Sequence, residues 1–330
     1  MRILITGASG LLGLNLALEA SKEHTVFGVV RRNTLKNTPF SIMQADLAVP
    51  GEIEHLLDIT QPDWVIHCAA MAVIDACEAD PQLAHRINAE VPGLFAMHCA
   101  ARNAIVAKGG ARANNLQSSN IRLVHISTDA VFDGVKGNYT EEDPPNPLSV
   151  YARTKLAGER AVLAADPTAI VARVNLFGWS LGGTRSLAEL FVHNLLAGKR
   201  MLGFTDVFFC PLLVNDIGLI LTKMLEKRLG GLYHVVASET LSKYEFGVAI
   251  AQKFGLDPGL ITPVRVADSG LKVARSPNLT LSTHKLSTAL GQSLPRLSTA
   301  IHRFWQLYQQ GYPQMLSTFT ASRSTDTEFP

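Results

Sequence analysis

The sequence predicts an α/β fold in which a doubly wound parallel sheet carries a smaller C-terminal α/β lobe. In the first half of the chain, short aliphatic runs alternate with helix-compatible segments, the pattern of parallel sheets. A glycine-rich turn directly follows the first of these runs. The chain has 330 residues, of which 47% are hydrophobic, enough for one large core and a smaller lobe.

Five short runs rich in β-branched and aliphatic residues are predicted to be strands of this sheet: 2–6, 25–30, 40–44, 64–67 and 122–126. Helices are predicted over 14–20 and, between the fourth and fifth strands, over about 82–102. Residues 106–120 then break the alternation, because they are small, polar and without periodicity. They are predicted to form an inserted surface loop.

The glycine-rich turn has the spacing G-x-x-G-x-x-G between a strand and a helix, which is the dinucleotide-binding arrangement of Rossmann folds. Gly7 permits the tight turn, Gly10 lets the backbone approach a diphosphate, and Gly13 allows the helix to pack closely on the strand. Phosphate oxygens would accept hydrogen bonds from the free N–H groups at the helix N-terminus. Ser9, Leu11 and Leu12 are expected to contact the cofactor as well.

The second strand ends in Val30-Arg31-Arg32, without the carboxylate that binds the adenosine ribose in NAD-specific folds. Arginine offers a planar fork of donors suited to a 2′-phosphate. The sequence therefore favours NADP(H), and NAD(H) stays open. Further cofactor contacts are expected after the third and fourth strands, at Asp46, Leu47, Cys68, Ala69 and Ala70.

Thr128, Tyr151 and Lys155 supply a hydroxyl, a phenol and an ammonium in the order that a carbonyl reductase needs. Tyr151 and Lys155 are four residues apart and so share one face of a helix. A phenol with a pKa near ~10 transfers protons poorly at neutral pH unless a neighbouring cation favours its ionised form. Lys155 can be that cation, and Thr128 can hydrogen-bond the substrate oxygen. The alternative is an ordinary surface Tyr and Lys, which the adjoining dinucleotide motif disfavours.

Composition argues against several other classes of protein. The net charge of +2 suggests neither a nucleic-acid groove nor a membrane-surface patch, and no apolar run reaches the length of a membrane span. Because the chain starts with a core strand, no signal peptide is expected and the location is predicted to be cytoplasmic. The four cysteines and ten histidines lack metal-ligand spacing, so no metal is assigned and the cysteines are expected to be free thiols.

The whole pattern resembles the extended short-chain dehydrogenase/reductases, specifically the sugar nucleotide-binding dTDP-4-dehydrorhamnose reductase family. The resemblance rests on GASGLLG, on HCAA followed by VIDACE, on Asn88, on STDAVFDG and on EEDPPNPLSVYARTKLAGE. It is strong over residues 1–180 and weak over 181–310. It implies NADPH-dependent reduction of a nucleotide-linked 4-keto-deoxysugar for polysaccharide synthesis.

By this resemblance, Tyr151 would protonate the sugar keto oxygen as hydride leaves the nicotinamide, and Thr128 would polarise the carbonyl group. Lys155 would bind the nicotinamide ribose and hold down the pKa of the tyrosine. Tyr151 and Lys155 are thus cofactor contacts as well as catalytic residues. The substrate contacts implied by the resemblance are Met71, Asp129, Ala130, Phe132 and Asn175.

The sequence departs from the family on the substrate side. Ala130 stands where the family usually has an aromatic residue and where the related dehydratases carry Glu, which argues against a 4,6-dehydratase. Met71-Ala72 replaces an aromatic residue and a threonine, and residues 206–212 keep only the proline of the family motif convincingly. If Met71, Ala72 and residues 208–210 line the sugar pocket, that pocket is less polar than usual and favours another sugar.

The expected organisation is a cofactor-binding domain over 1–175, onto which 214–240 packs back, with a substrate lobe from 176–213 and 241–313. This lobe and the returning segment contain predicted helices over 214–227 and 243–254 and a strand over 232–236. The Ser- and Thr-rich tail, 314–330, is expected to be disordered. An alternative function is a non-catalytic dinucleotide-binding subunit resembling the β subunit of methionine adenosyltransferase, which also retains Y-x-x-x-K. A homodimer and the identity of the sugar stay open.

Overall fold

The structure is a computed structural model that describes residues 1–32, 34–107, 120–269 and 276–320. Most of the loop predicted over 106–120 lies outside these residues, although 106 and 107 belong to the preceding helix. The strands are β1 (Arg2–Thr6), β2 (Thr25–Val30), β3 (Ser41–Gln44), β4 (Trp64–His67), β5 (Arg122–Thr128), β6 (Ile170–Val174), β7 (Leu176–Phe177), β8 (Met201–Phe204), β9 (Phe208–Phe209), β10 (Leu212–Leu213), β11 (Gly231–Val235), β12 (Leu241–Ser242) and β13 (Ile261–Val264).

The α-helices are α1 (Leu11–Ala20), α2 (Glu52–Thr60), α3 (Ile74–Ala79), α4 (Pro81–His85), α5 (Val91–Ala107), α6 (Val150–Ala165), α7 (Leu187–Leu196), α8 (Val214–Glu226), α9 (Lys243–Phe254), α10 (His284–Leu290), α11 (Leu297–Gln309) and α12 (Tyr312–Ser317). A π-helical segment, Arg86–Glu90, joins α4 to α5, so the helix predicted over 82–102 has a local widening. At this widening, the Asn88 side chain donates hydrogen bonds to the Met71 carbonyl and the Thr154 hydroxyl.

A seven-stranded sheet in the order β11-β6-β5-β4-β1-β2-β3 forms the centre of the molecule, and each of its strand pairs is parallel. This confirms the predicted doubly wound sheet. In β1, Ile3 and Ile5 belong to one buried apolar cluster and Leu4 to another, on the opposite face. Both faces are therefore covered, which explains why the strands are near-continuous hydrophobic runs.

The predicted strands are confirmed with small changes at their ends, and β6 joins the central sheet as a strand that was not predicted. The short strands β7 to β10, β12 and β13, which lie outside this sheet, were not predicted either. β5 runs on to Thr128, which puts this residue at the carboxyl edge of the sheet. The strand predicted over 232–236 is β11 and joins the central sheet beside β6, while α8 packs against α1. Residues 214–235 thus contact the cofactor side of the molecule. The division into a cofactor-binding domain and a substrate lobe stays a prediction.

The expectation of a disordered tail is wrong for residues 314–320. The helix α12 extends to Ser317, and the side chains of Leu316 and Phe319 are buried in the larger apolar cluster. The Lys36 N–H donates to the Phe319 carbonyl at 3.0 Å. Two apolar anchors in a Ser- and Thr-rich segment are enough to order it, and composition alone conceals them. Residues 321–330 lie outside the described part of the chain.

Candidate active site

A cavity of about 700 Å³ lies where β1 to β4 end, the place where ligands bind in open α/β sheets. It brings together the predicted cofactor contacts Gly7, Ser9, Gly10, Leu11, Leu12, Gly13, Arg31, Arg32, Asp46, Leu47, Cys68, Ala69 and Ala70. Met71 and Ala72 line the same cavity. Leu176, in the short strand β7 that follows β6, also lines the cavity.

The glycine-rich turn leaves no room for side chains. Gly7 has a φ of +68°, and a Cβ atom there would lie 2.9 Å from the Ala69 backbone nitrogen. A Cβ atom at Gly13 would lie 2.3 Å from the Gly7 carbonyl oxygen. Gly10 caps α1 without a side-chain hydrogen bond, so the first-turn N–H groups of this helix can bind an anion. The turn therefore fits the backbone-cradled diphosphate that its spacing predicts.

Tyr151 and Thr128 come together at the other end of the site. Tyr151 lies in the first turn of α6, whose N-terminus is capped by the Ser149 hydroxyl, and Thr128 is the last residue of β5. The Thr128 hydroxyl lies close enough to the Tyr151 phenol to influence its pKa. Tyr151 also packs beside Met71 against a small apolar cluster, and Met71 lines the cavity. The proposed proton donor thus lies next to the dinucleotide cavity.

Lys155 is only 2% exposed and turns towards β5. Its ammonium group donates to the Ile126 carbonyl at 2.7 Å and lies 3.3 Å from His125 Nε2. Burial lowers the pKa of Lys155 to about 8, against the opposing effect of the nearby Glu159 carboxylate. Burial raises the pKa of Tyr151 to about 12, and the nearby Thr128 hydroxyl opposes this rise. The causes of this shift do not include Lys155, so the expectation that Lys155 holds the tyrosine pKa down stays a prediction.

Two buried histidines form the floor beneath Lys155, and the sequence analysis did not assign them a role. The rings of His67 and His125 stack with their centroids 5.6 Å apart, and the Thr6 hydroxyl lies 2.8 Å from His67 Nδ1. Burial, followed by the Lys155 charge, lowers the pKa of His67 to about 3 and that of His125 well below its ordinary value. Both rings are thus neutral at physiological pH and impose no competing positive charge on Lys155.

Asp129 and Asn175, two of the expected substrate contacts, meet at the carboxyl ends of β5 and β6. The Asn175 amide donates to the Asp129 carboxylate, and the Thr128 hydroxyl donates to Asp129 Oδ1 at 3.1 Å. Burial raises the pKa of Asp129 to about 6, although both of these hydrogen bonds oppose the shift. Hydrogen bonds therefore link Thr128, Asp129 and Asn175, and Tyr151 lies beside Thr128. Ala130 follows in a 3-10 turn and is half-buried.

The structure does not place Phe132 where a sugar could touch it, and we correct that expectation. The 3-10 turn Asp129–Val131 carries the Phe132 ring into an apolar cluster, where it is 1% exposed. The ring stacks on Tyr139 with centroids 4.1 Å apart. Phe209 and Cys210 are buried as well and do not line the described cavity, so they are packing residues.

A buried ion pair supports the catalytic strand from below. Arg173 on β6 donates to both carboxylate oxygens of Glu159, at 2.9 and 2.7 Å. The Ser127 hydroxyl donates to the same carboxylate at 2.5 Å. This arrangement fixes the residue before Thr128. The spacing Y-x-x-x-K-x-x-x-E, which repeats at four-residue intervals, was the signal that Glu159 faces the same way as Lys155.

Comparison with known proteins settles the family. The family model described as the RmlD substrate binding domain matches residues 1–310. The chain belongs to this family. Within the described residues, no group of three or more His, Cys, Asp or Glu side chains is placed to hold a metal ion. No helix in the described ranges is long and apolar enough to cross a membrane.

Relatives of the RmlD-family chain carry two kinds of name. A probable low-salt glycan biosynthesis reductase of Haloferax volcanii is 30% identical over 90% of this chain and 95% of its own length. The dTDP-4-dehydrorhamnose reductase of Mycobacterium tuberculosis is 32% identical over 87% of each chain. The methionine adenosyltransferase 2 subunit beta of Mus musculus is 32% identical over 89% of this chain and 84% of its own length.

A solved structure confirms the architecture. The dTDP-4-dehydrorhamnose reductase of Bacillus anthracis, crystallised in complex with NADP, superposes with a TM-score of 0.76 at 24% identity. The match covers 92% of this chain and 98% of that one. At this identity the likeness establishes the fold, and the chemistry must be argued from the residues of the site.

Proposed function

We propose that this protein is an NADPH-dependent reductase of a nucleotide-linked 4-keto-deoxysugar. The observation that carries the proposal is the proximity of Tyr151 and Thr128, set beside a cavity lined by the glycine-rich turn. A phenol and a hydroxyl at the end of a dinucleotide cavity are suited to a carbonyl oxygen that receives a proton as its carbon is reduced. The named reductases among the relatives support the same chemistry.

The residues at the far end of the cavity suit NADP(H). Arg31 and Arg32 are exposed and line the cavity at the end of β2, where a 2′-phosphate would lie. The Gln44 side chain donates to the Arg31 carbonyl at 3.1 Å and so ties the end of β2 to β3. NAD(H) is the alternative cofactor, because no contact among the described residues of the site excludes it. The bound dinucleotide would supply the hydride.

Side chains of the protein would deliver the proton to the keto oxygen of the substrate. The Tyr151 hydroxyl carries its proton at neutral pH and can donate it to the keto oxygen, although the burial that raises its pKa to about 12 makes it a weaker acid than an ordinary phenol. Thr128 would hold the same oxygen, and a proton relayed through Asp129 and the Thr128 hydroxyl would restore Tyr151. Lys155 fixes β5 two residues before Thr128 through its bond to the Ile126 carbonyl. Its contact with the nicotinamide ribose stays an inference from the family.

The test is the oxidation of NADPH, followed by absorbance, with a panel of nucleotide-linked 4-keto sugars that includes dTDP-4-dehydrorhamnose. NADH is run in parallel, and each product is identified by mass spectrometry. We expect turnover with at least one member of the panel. Tight binding of NADPH without oxidation by any 4-keto sugar would contradict the proposal.

A second candidate function is a non-catalytic regulatory subunit. The observations that favour it are the similarity to methionine adenosyltransferase 2 subunit beta and the inward direction of Lys155, away from the cavity. Co-purification with a methionine adenosyltransferase catalytic subunit, together with a change in that enzyme's activity, would support this function. The same preparation, assayed with the sugar panel, separates the two candidates.

A further inference from the structure

The loop between β7 and α7, residues 178–186, reaches back from the proposed substrate side to the cofactor side of the molecule. Asn15, which is completely buried in α1, donates to the Trp179 carbonyl at 3.0 Å and to the Leu11 carbonyl at 2.7 Å. One side chain thus ties the start of this loop to the first turn of α1. The same turn of α1 lines the dinucleotide cavity.

A buried carboxylate fixes the rest of the loop. Glu189 is completely buried in the first turn of α7, where it accepts hydrogen bonds from the Ser180 hydroxyl at 2.9 Å and from the Arg185 N–H at 2.9 Å. It also accepts from the Ser186 N–H at 3.0 Å, and the Ser186 hydroxyl accepts a bond from the Glu189 N–H. This capping box holds both ends of the loop around one anion. The backbone of Arg185 is therefore firmly placed.

Arg185 is an arginine from outside the first 175 residues that lines the cavity together with Leu11, Leu12 and Leu176. Its side chain is exposed. Among the described residues, no hydrogen bond or ion pair engages its guanidinium group, whereas the nearby Glu189 carboxylate is fully occupied by the loop. A free cationic fork on a fixed backbone, beside a helix N-terminus, is suited to an anionic ligand.

We propose that Arg185 binds the diphosphate of the dinucleotide from the side opposite the glycine-rich turn. This inference rests on the cofactor part of the proposed function. The diphosphate is the better candidate than the 2′-phosphate, because Asn15 and Trp179 attach the loop to α1, whereas Arg31 and Arg32 lie at the end of β2. The cofactor would then be held by both segments of the chain at once.

The experiment compares dinucleotide fragments in Arg185→Ala. Dissociation constants are measured for NADPH, for 2′-phospho-ADP-ribose, which contains the diphosphate, and for 2′-AMP, which lacks it. Because a charge-assisted hydrogen bond to phosphate is worth roughly tenfold or more in affinity, we expect a loss of ~10-fold or more for the first two ligands. We expect an unchanged constant for 2′-AMP. Arg185→Lys, which keeps the charge without the planar fork, should lose less.

The matched control is Arg200→Ala, since Arg200 is an exposed arginine in the same part of the chain that does not line the cavity. Its constants should equal those of the wild type. Unchanged NADPH affinity in Arg185→Ala would overturn the proposal, and so would an equal loss for all three ligands. A loss confined to the nucleotide-sugar would overturn it too, and would assign Arg185 to the substrate diphosphate instead. If the wild type bound no dinucleotide at all, the cofactor part of the proposed function would fail first.

Discussion

The two ends of the candidate site are built in different ways. The cofactor end consists of short segments that each follow a strand, and its glycine-rich turn offers backbone N–H groups rather than side chains. The substrate end depends on polar side chains from β5, α6 and β6, of which Thr128, Asp129 and Lys155 are buried. The pKa values of Asp129, Tyr151 and Lys155 are all shifted by burial, whereas no such group belongs to the glycine-rich turn, which is described in full.

This difference shows which part of the site a short sequence motif can determine. At the cofactor end the chemistry is a property of backbone shape, so a few consecutive residues determine it. At the substrate end the chemistry depends on how deeply each ionisable group lies, and depth is set by elements far apart in the sequence. If the two ends act independently, a substitution at the substrate end should leave cofactor binding unchanged, and a substitution at the cofactor end should leave turnover at saturating cofactor unchanged.

The largest effect is expected for Tyr151→Phe. Removal of the proposed proton donor should reduce turnover by ~10²-fold or more, because the keto oxygen loses its acid. The dissociation constant of NADPH should stay near that of the wild type, since the variant keeps the ring and the cavity. A loss of turnover with unchanged NADPH affinity would show that catalysis and cofactor binding depend on different ends of the site.

Tyr244→Phe is the control for this variant, because Tyr244 lies in α9 and packs against the larger apolar cluster, whereas Tyr151 packs with Met71 against the small one. It should leave both turnover and NADPH binding unchanged. Near-normal turnover in Tyr151→Phe would remove this residue from the mechanism, and a parallel loss of cofactor binding would show that the two ends are coupled.

The second effect concerns Asp129→Asn and the dependence of stability on pH. The folded-state pKa of Asp129, about 6, lies above the ordinary value, so this carboxyl group stabilises the fold fully below about pH 4. That contribution is lost as the pH rises through 6, since a charge must then be held in the interior. The amide that replaces the carboxyl group never ionises. The variant should therefore be more stable than the wild type at pH 7.5, by up to about 3 kcal/mol.

Urea unfolding of both proteins at pH 4 and pH 7.5 checks this, because the advantage of the variant should be small at pH 4. An identical pH dependence in the two proteins would show that Asp129 is not held as a buried acid. Asp143→Asn is a useful contrast, since hydrogen bonds from Lys136 lower the pKa of that carboxyl group to about 2. Its removal should not reproduce the gain at neutral pH.

The third effect belongs to the cofactor end. Replacement of Arg31 and Arg32 by alanine should weaken NADPH far more than NADH, because each charge-assisted phosphate contact contributes roughly 1.5–3 kcal/mol. The preference for NADPH, measured as the ratio of the two dissociation constants, should fall by at least ~10-fold. Equal losses for both cofactors would show that these arginines do not read the 2′-phosphate. Turnover at saturating cofactor should change little.

The features that the sequence could predict are the local ones. The order strand, glycine turn and helix is local, and residues 2–20 could be predicted closely. The predicted pair of Tyr151 and Thr128 is brought together because the helix face and the strand end are also local features. Phe132 was assigned wrongly, since a single 3-10 turn decides which way the chain leaves Thr128. No spacing of residues in the sequence predicts that turn.

The remaining features depend on long-range packing. No local pattern indicates that Lys155 turns towards two buried imidazoles, which come from β4 and β5. The anchoring of residues 178–186 is of the same kind, because Asn15 lies 164 positions before the Trp179 carbonyl that it binds. Strand β6 was missed because its apolar run, 170–174, contains Arg173, whose burial depends on its ion pair with the Glu159 carboxylate.

The smallest effect is expected at Ala72, which lines the cavity. The family tends to have a threonine at this place, and a site without hydroxyl-reading groups loses little when its substrate lacks a hydroxyl. We therefore predict that the wild type handles dTDP-4-dehydrorhamnose poorly and prefers a more deoxygenated or acylated keto sugar. With Phe209 and Cys210 in the core, this prediction rests on Met71 and Ala72. Ala72→Thr should raise kcat/KM for dTDP-4-dehydrorhamnose by ~2- to 10-fold, the value of one net hydrogen bond.

The control is Ala79→Thr, at the exposed end of α3 and outside the cavity lining, which should not change kcat/KM. The gain in Ala72→Thr should appear with dTDP-4-dehydrorhamnose and be absent with a sugar that lacks the corresponding hydroxyl. Because the added methyl and hydroxyl face an open cavity, NADPH affinity should be unaffected. Full family-level efficiency of the wild type on dTDP-4-dehydrorhamnose would contradict the prediction. In that case the polar contacts that read the sugar would have to come from Asp129 and Asn175, which already share a hydrogen bond at that end of the site.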